Sequence, residues 1–208
     1  MSFGECFGRA AGRGVTTESI RTAVEDHRSG GAERSDGAHA DGDAESADPE
    51  PSPARVVADA DVLAADLLAG GDSRESLDRL RSHSWTTLVA SDPLLDDATA
   101  VIGDLADADL ASDWRAAVES WREPVAHPAG DHPALASAYR GGAMQVVSLD
   151  PSLTNPQAAA GLRDRMPVSV REPRAFAAVF SPDRLYPEVV GGEYPGPDRD
   201  PRSLELVQ

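Results

Sequence analysis

The sequence predicts an α/β fold, a three-layer α/β/α sandwich around a central, mainly parallel sheet, preceded by a disordered N-terminal tail. Three observations carry that expectation. Between residues 54 and 181, short apolar runs alternate with stretches of helical period, the pattern of successive βαβ units. Residues 30–53 contain no aromatic and no large aliphatic side chain, so they cannot bury enough surface to offset their ordering entropy. A chain of 208 residues suits one ordinary domain with tails.

In chain order, residues 1–53 are expected to form a mostly disordered acidic tail. Its one short helix, over 17–27, has Ile20 and Val24 as its only apolar face and reads as frayed rather than docked. Cys6, the single cysteine, excludes an internal disulfide and a cysteine-based zinc cage, and its surroundings read as unfolded. The domain then opens with a buried strand at 55–58 and a helix at 62–69, closed by Gly70 and Gly71. Ser73 reads as the cap of a helix carrying Leu77 and Leu80. A second strand at 86–90 leads to a helix at 93–105. Leu110, Trp114, Val118, Trp121 and Val125 share one face of a further amphipathic helix, which fits either the core or a homodimer seam. Asp131 opens a helix at 133–140, closed by Gly141 and Gly142, before a third strand at 144–148. A weak strand at 168–170 precedes a last helix through Phe176 and Phe180, and residues 182–208 read as an irregular tail.

The formal net charge is −17, and all 19 basic residues are arginine, with no lysine anywhere. Acidic excess without lysine, together with abundant Ala, Gly, Asp and Val, resembles the composition of proteins adapted to multimolar intracellular salt (halophilic). At such salt the Debye length is about 3 Å or less. The charge therefore bears on solubility and does not exclude an anionic partner such as RNA. No run approaches the roughly 20 apolar residues of a membrane span, and the N-terminus lacks the apolar core of a signal peptide. A cytoplasmic protein without a membrane partner is expected.

Aspartates stand where strands and helices meet. Asp59 follows the first strand and Asp150 the third, so in a parallel sheet both emerge on the edge where ligands usually bind. Asp131 begins a helix leading back to that edge. On the helix at 93–105 the apolar stripe is Leu94, Leu95, Ala98, Val101, Ile102 and Leu105. At about 100° per residue, Asp97 flanks that stripe and Asp96 points away from it. Each acid also has a purely structural role to play: Asp59 and Asp131 suit N-caps, and Asp150-Pro151-Ser152 suits a turn. Capping explains their order along the chain less easily.

These segments resemble the PIN domain family along nearly all of 54–181. Val56-Val-Ala-Asp59-Ala-Asp61-Val-Leu63 is similar to its opening strand, where an Asp is followed two residues on by Asn or Asp. Ser91-Asp-Pro-Leu-Leu-Asp-Asp97 resembles its Ser followed six residues on by an acid. Asp131-His-Pro-Ala-Leu-Ala-Ser-Ala138 resembles the third acidic element, and Gly142-Ala-Met-Gln-Val-Val-Ser-Leu-Asp150 the Gly-Ala strand ending in Thr-x-Asp. Val168-Ser-Val-Arg-Glu-Pro173-Arg-Ala-Phe176 is similar to the terminal strand with Pro-x-x-Phe. Asp97 departs from the family's usual Glu, Ser148 from its usual Thr, and the long N-terminal tail from its outline. The resemblance implies a metal-dependent nuclease, an endoribonuclease above all. Asp59, Asp97, Asp131 and Asp150 would bind Mg²⁺ or Mn²⁺, supported by Asp61, Ser91 and Ser148, to hydrolyse a phosphodiester of single-stranded RNA.

Two other readings compete. A PIN-like fold without catalysis would serve as an RNA- or protein-binding module. A haloacid-dehalogenase-like phosphatase shares Asp59-Ala-Asp61 after a strand and Ser91 after another, but normally holds its phosphoryl group with a lysine, which this chain lacks. Arg115, Arg122 and Arg140 are candidates for phosphate contacts, with Trp114 or Trp121 for stacking. His127 and His132, each beside a proline, read as surface residues.

Overall fold

A computed structural model describes residues 1–32, 49–128, 131–163 and 166–207. Two helices open the chain, α1 (Phe3–Ala10) and α2 (Thr17–Ala32). They are followed by β1 (Ser52–Ala58), α3 (Ala60–Leu68), α4 (Gly71–Arg81), β2 (Thr87–Ser91) and α5 (Asp92–Leu105). Next come α6 (Ala108–Glu119), β3 (Arg122–Val125), α7 (Pro133–Arg140) and β4 (Ala143–Val147). The short helices α8 (Pro151–Thr154) and α9 (Pro156–Arg163) precede β5 (Ser169–Arg171), α10 (Pro173–Val179) and α11 (Pro182–Val189).

The strands form one all-parallel five-stranded sheet in the order β3-β2-β1-β4-β5, with helices on its faces. A parallel sheet covered on both faces needs strands that are apolar throughout. Val56, Val57, Ala58, Leu88, Val89, Ala90, Val146 and Val147 meet that need, and all are buried. From β1 the chain steps outward to β2 and β3, then crosses back to β4 and β5. The strand order thus reverses between β1 and β4, the position where open α/β sheets bind ligands. Val57 lies opposite Val146 and Ala58 opposite Val147, so Asp59 and Ser148 leave the two strands side by side. The turn into β4 depends on glycine. A Cβ on Gly141 would fall 2.2 Å from Val89 Cγ1, and Gly142 has φ of +59°.

Several elements differ from the sequence expectation. The first residues are not a loose tail. α1 buries Phe3, Cys6, Phe7 and Ala10, at helical spacing behind a Ser2–Glu5 capping box, and Arg9 and Arg13 bridge to Asp113 and Asp107 of the α6 region. α2 extends beyond 17–27 and is docked, with Ile20 and Val24 in the core. The disordered stretch expected at 30–53 falls largely on residues 33–48, outside the described residues, and β1 already begins at Ser52. The helix expected through Val125 stops at Glu119. Pro124 cannot continue a helix, and 122–125 pair instead with β2 as an edge strand. Ser73 lies inside α4, whose N-cap is Gly70 in a positive-φ conformation. The C-terminal tail contains α11 and is fastened to the domain beyond it. Ser84 N donates to Asp198 Oδ1 at 2.7 Å, and Arg202 Nη2 to Asp78 Oδ2 at 2.9 Å.

Candidate metal centre

β1 ends at the switch point with Asp59, 0% exposed, whose side chain caps α3 by accepting from Ala60 N at 2.8 Å. In the first turn of α3, Asp61 is 2% exposed and accepts from Leu149 N at 3.0 Å. Ser148, just past β4, joins the two carboxylates: its Oγ donates to Asp59 Oδ2 at 3.0 Å and lies 3.5 Å from Asp61 Oδ2. The other oxygen of Asp61, Oδ1, is buried without a hydrogen-bond partner among the described residues. Such an atom is costly in a folded interior, by about 1–3 kcal/mol or more for a charged group. Burial, then the neighbouring Asp59 charge, pushes the Asp61 carboxyl well above the usual carboxylate range.

The helix phase chosen for α5 turns Asp97 to this site. Its carboxylate is 14% exposed, whereas Asp96 is 68% exposed and pairs outward with Arg115. Between Asp59 and Asp97 sits Arg28 of α2, which the sequence reading had not singled out. Its Nη2 donates to Asp59 Oδ1 at 2.7 Å and its Nε to Asp97 Oδ2 at 2.8 Å. Its Nη1 lies 3.1 Å from His132 Nε2, which must therefore accept, so His132 is neutral here. Burial likewise holds the His132 pKa down, with Asp59 opposing and Arg28 reinforcing the shift. Burial alone would lower the Arg28 pKa and raise that of Asp59. Their contact overrides both effects and keeps the pair ionised. Spacing held one clue to Arg28: it continues the Ile20–Val24 interval of four residues on the docked face of α2.

Asp150 caps α8, with its Oδ1 accepting from Ser152 N at 2.7 Å. Together with Asp61 and His132 it lines a cavity of about 410 Å³ whose opposite wall is α2, through Arg21, Glu25 and Arg28. The remaining sequence candidates fall elsewhere. Asp131 is exposed in the loop before α7, where His132 and not Asp131 occupies the N-cap ahead of Pro133. His132 is correspondingly half-buried in the site rather than on the open surface. Ser91 is buried beneath the site against Ser137, with its Oγ accepting from Ser137 Oγ at 3.0 Å. Arg115 and Arg122 are engaged by Asp92 and Glu119, and Arg140 stands at the far end of α7 from His132. Trp114 is core and Trp121 packs edge-to-face on Phe3 at 5.6 Å, so the tryptophan stripe serves the interior and α1.

An all-oxygen donor set of carboxylates suits a hard cation such as Mg²⁺ or Mn²⁺, and among the described residues Asp61 Oδ1 is a buried donor atom that no hydrogen bond engages. Among the described residues no three acidic or imidazole ligands close on a common point. The Arg28 guanidinium stands between Asp59 and Asp97, with its own charge in the position that joins them.

No curated protein and no solved structure matches the chain. One family does match, over residues 50–202, a span that contains Asp59, Asp61, Asp97, His132, Ser148 and Asp150 but neither α1 nor α2. A span of that extent covers most of the 208 residues, and the chain belongs to the family of unknown function DUF7384.

Proposed function

We propose that this protein is a PIN-like, metal-dependent phosphodiester hydrolase, and specifically an endoribonuclease acting on single-stranded RNA. The observation that carries this reading is the buried Asp59–Asp61 pair at the β1–β4 switch point, with one Asp61 oxygen unpartnered among the described residues and Asp61 lining a cavity. Bound there, Mg²⁺ or Mn²⁺ would supply an activated water and a positive charge at the scissile phosphate. The chain's own groups do the positioning. Ser148 Oγ and Ala60 N hold Asp59, and Leu149 N holds Asp61. Asp97 supports the site from α5 and Asp150 from the head of α8. Asp131, exposed in its loop, takes no part in this scheme.

Labelled single-stranded RNA incubated with Mn²⁺ in concentrated KCl tests the proposal. Cleavage is expected, with losses of 100-fold or more (about 3 kcal/mol of barrier) on Asp59→Asn or Asp61→Asn, and near-wild-type rates for Asp131→Asn. Cleavage that survives Asp59→Asn would defeat it.

A second reading, a binding module without catalysis, draws on the same Arg28 contacts, because a guanidinium that satisfies Asp59 and Asp97 leaves them little capacity for a metal. RNA retention without any cleavage, in both the wild type and Arg28→Gln, favours that module.

A further inference from the structure

We infer that α2 is a built-in inhibitor whose Arg28 acts as a tethered cation, so that divalent metal and docked α2 exclude one another at Asp59 and Asp97. The inference rests on reading the acidic site as a metal centre.

Geometry makes the competition direct. A single guanidinium reaches Asp59 Oδ1 at 2.7 Å through Nη2 and Asp97 Oδ2 at 2.8 Å through Nε, and so bridges a carboxylate at the end of β1 to one on α5. Three of the roughly four lone-pair sites of Asp59 are taken while this holds, which leaves one, on Oδ2, for a second cation. Its Oδ1 also accepts from Ala60 N, and its Oδ2 accepts from Ser148 Oγ. Arg28 is equally committed: its third nitrogen is directed at His132, so it is not poised to grip a substrate phosphate. The helix behind it is aimed by packing, since Ile20 and Val24 anchor its apolar face in the core at the same four-residue interval that places Arg28. The neighbouring His27 imidazole stands 3.7 Å from the other oxygen of Asp97. Docked in this way, α2 also walls the cavity, with Arg21, Glu25 and Arg28 facing Asp61, His132 and Asp150. A nucleic-acid strand therefore meets α2 before it meets the acids. Finally, the family match spans residues 50–202, which contains the acids and not Arg28.

If Arg28 were only a structural ion pair, metal affinity would not rise when it is removed. Mn²⁺ titrations of the full chain followed by electron paramagnetic resonance of the free ion separate the two cases. Arg28→Gln is expected to tighten Mn²⁺ binding by at least 10-fold and to raise RNA cleavage in step, while Arg28→Lys, which keeps a charge there, stays nearer the wild type. A second measurement needs no variant. Hydrogen exchange of the wild type should speed up across residues 17–32 on saturation with Mn²⁺ while slowing around Asp59 and Asp61. Equal Mn²⁺ affinity in wild type and Arg28→Gln, with binding abolished by Asp59→Asn, overturns the inhibitor and leaves the metal centre intact. So does exchange in α2 that is unchanged or slower with Mn²⁺ bound. Absence of Mn²⁺ binding in both wild type and Arg28→Gln overturns the metal centre and the inhibitor together.

Discussion

Arg81 shows how much local chemistry sits beneath α1. Its side chain is 0% exposed, pairs with the buried Asp66 at 2.5 Å, and lies 4.7 Å from the Phe3 ring and 5.2 Å from the Phe7 ring. Removing one partner of a buried pair leaves an uncompensated charge, so Arg81→Met should cost about 3–5 kcal/mol in denaturant unfolding. Burial outweighs Arg81 and Arg74 and raises the Asp66 pKa from 3.8 to about 6. Because the folded value is the higher one, stability from this carboxyl is fully present below 3.8 and is lost as pH rises through about 6. Asp66→Asn should flatten the unfolding free energy across that window, and an unchanged pH slope would contradict it. At the candidate site, Asp59 and Asp97 were legible because a strand end and a helix phase locate a side chain using only its neighbours in sequence. Asp131 misled because its cap reading ignored His132, the residue that Pro133 places at the helix start. Arg28 was hidden for a different reason. Its partners lie 31, 69 and 104 residues away, and no local pattern encodes contacts at such range.

Among the elements of the central domain, those from β1 to α10 that carry their own period of apolar residues were readable, whereas the short helices α8 and α9 and the strand β3 were not. β3 was missed because an edge strand of four residues, half-exposed and containing Pro124, has almost no apolar signal. Its neighbour Trp121 then appeared to extend α6. α1 was missed although its signal was present: Phe3, Cys6, Phe7 and Ala10 follow the i, i+3, i+4, i+7 rule. The acidic, glycine-rich stretch after it dominated the composition of the whole N-terminal region. Burying Phe3, Phe7, Ile20 and Val24 stabilises by roughly 1.5–3 kcal/mol each, as an upper estimate. A protein beginning at residue 49 should accordingly melt at least about 10 °C lower than the full chain. Equal transitions in calorimetry would mean that α1 and α2 add no net stability.

The whole molecule carries 36 acidic residues against 19 arginines, and many of those arginines are spent on pairs such as Arg9–Asp113, Arg115–Asp96 and Arg28–Asp59. Self-repulsion of the remainder opposes the compact state, and it is screened as the Debye length falls from about 10 Å at 0.1 M to about 3 Å at 1 M salt. The melting temperature should therefore rise with KCl over that range, and a flat or falling dependence would remove the salt-adapted reading of the composition. The topology itself follows from the run of parallel βαβ units, whereas strand order had to be observed. α1 is held independently of α2: Gly4 N donates to Arg202 O at 3.0 Å, and Arg9 pairs with Asp113. On the proposed inhibition the Arg28 end of α2 would leave the acids while α1 stays in place, joined to it by residues 11–16. A group on so short a leash returns to its site with an effective concentration on the order of millimolar. The balance between arginine and metal would then be indifferent to protein dilution and governed by the free metal concentration alone.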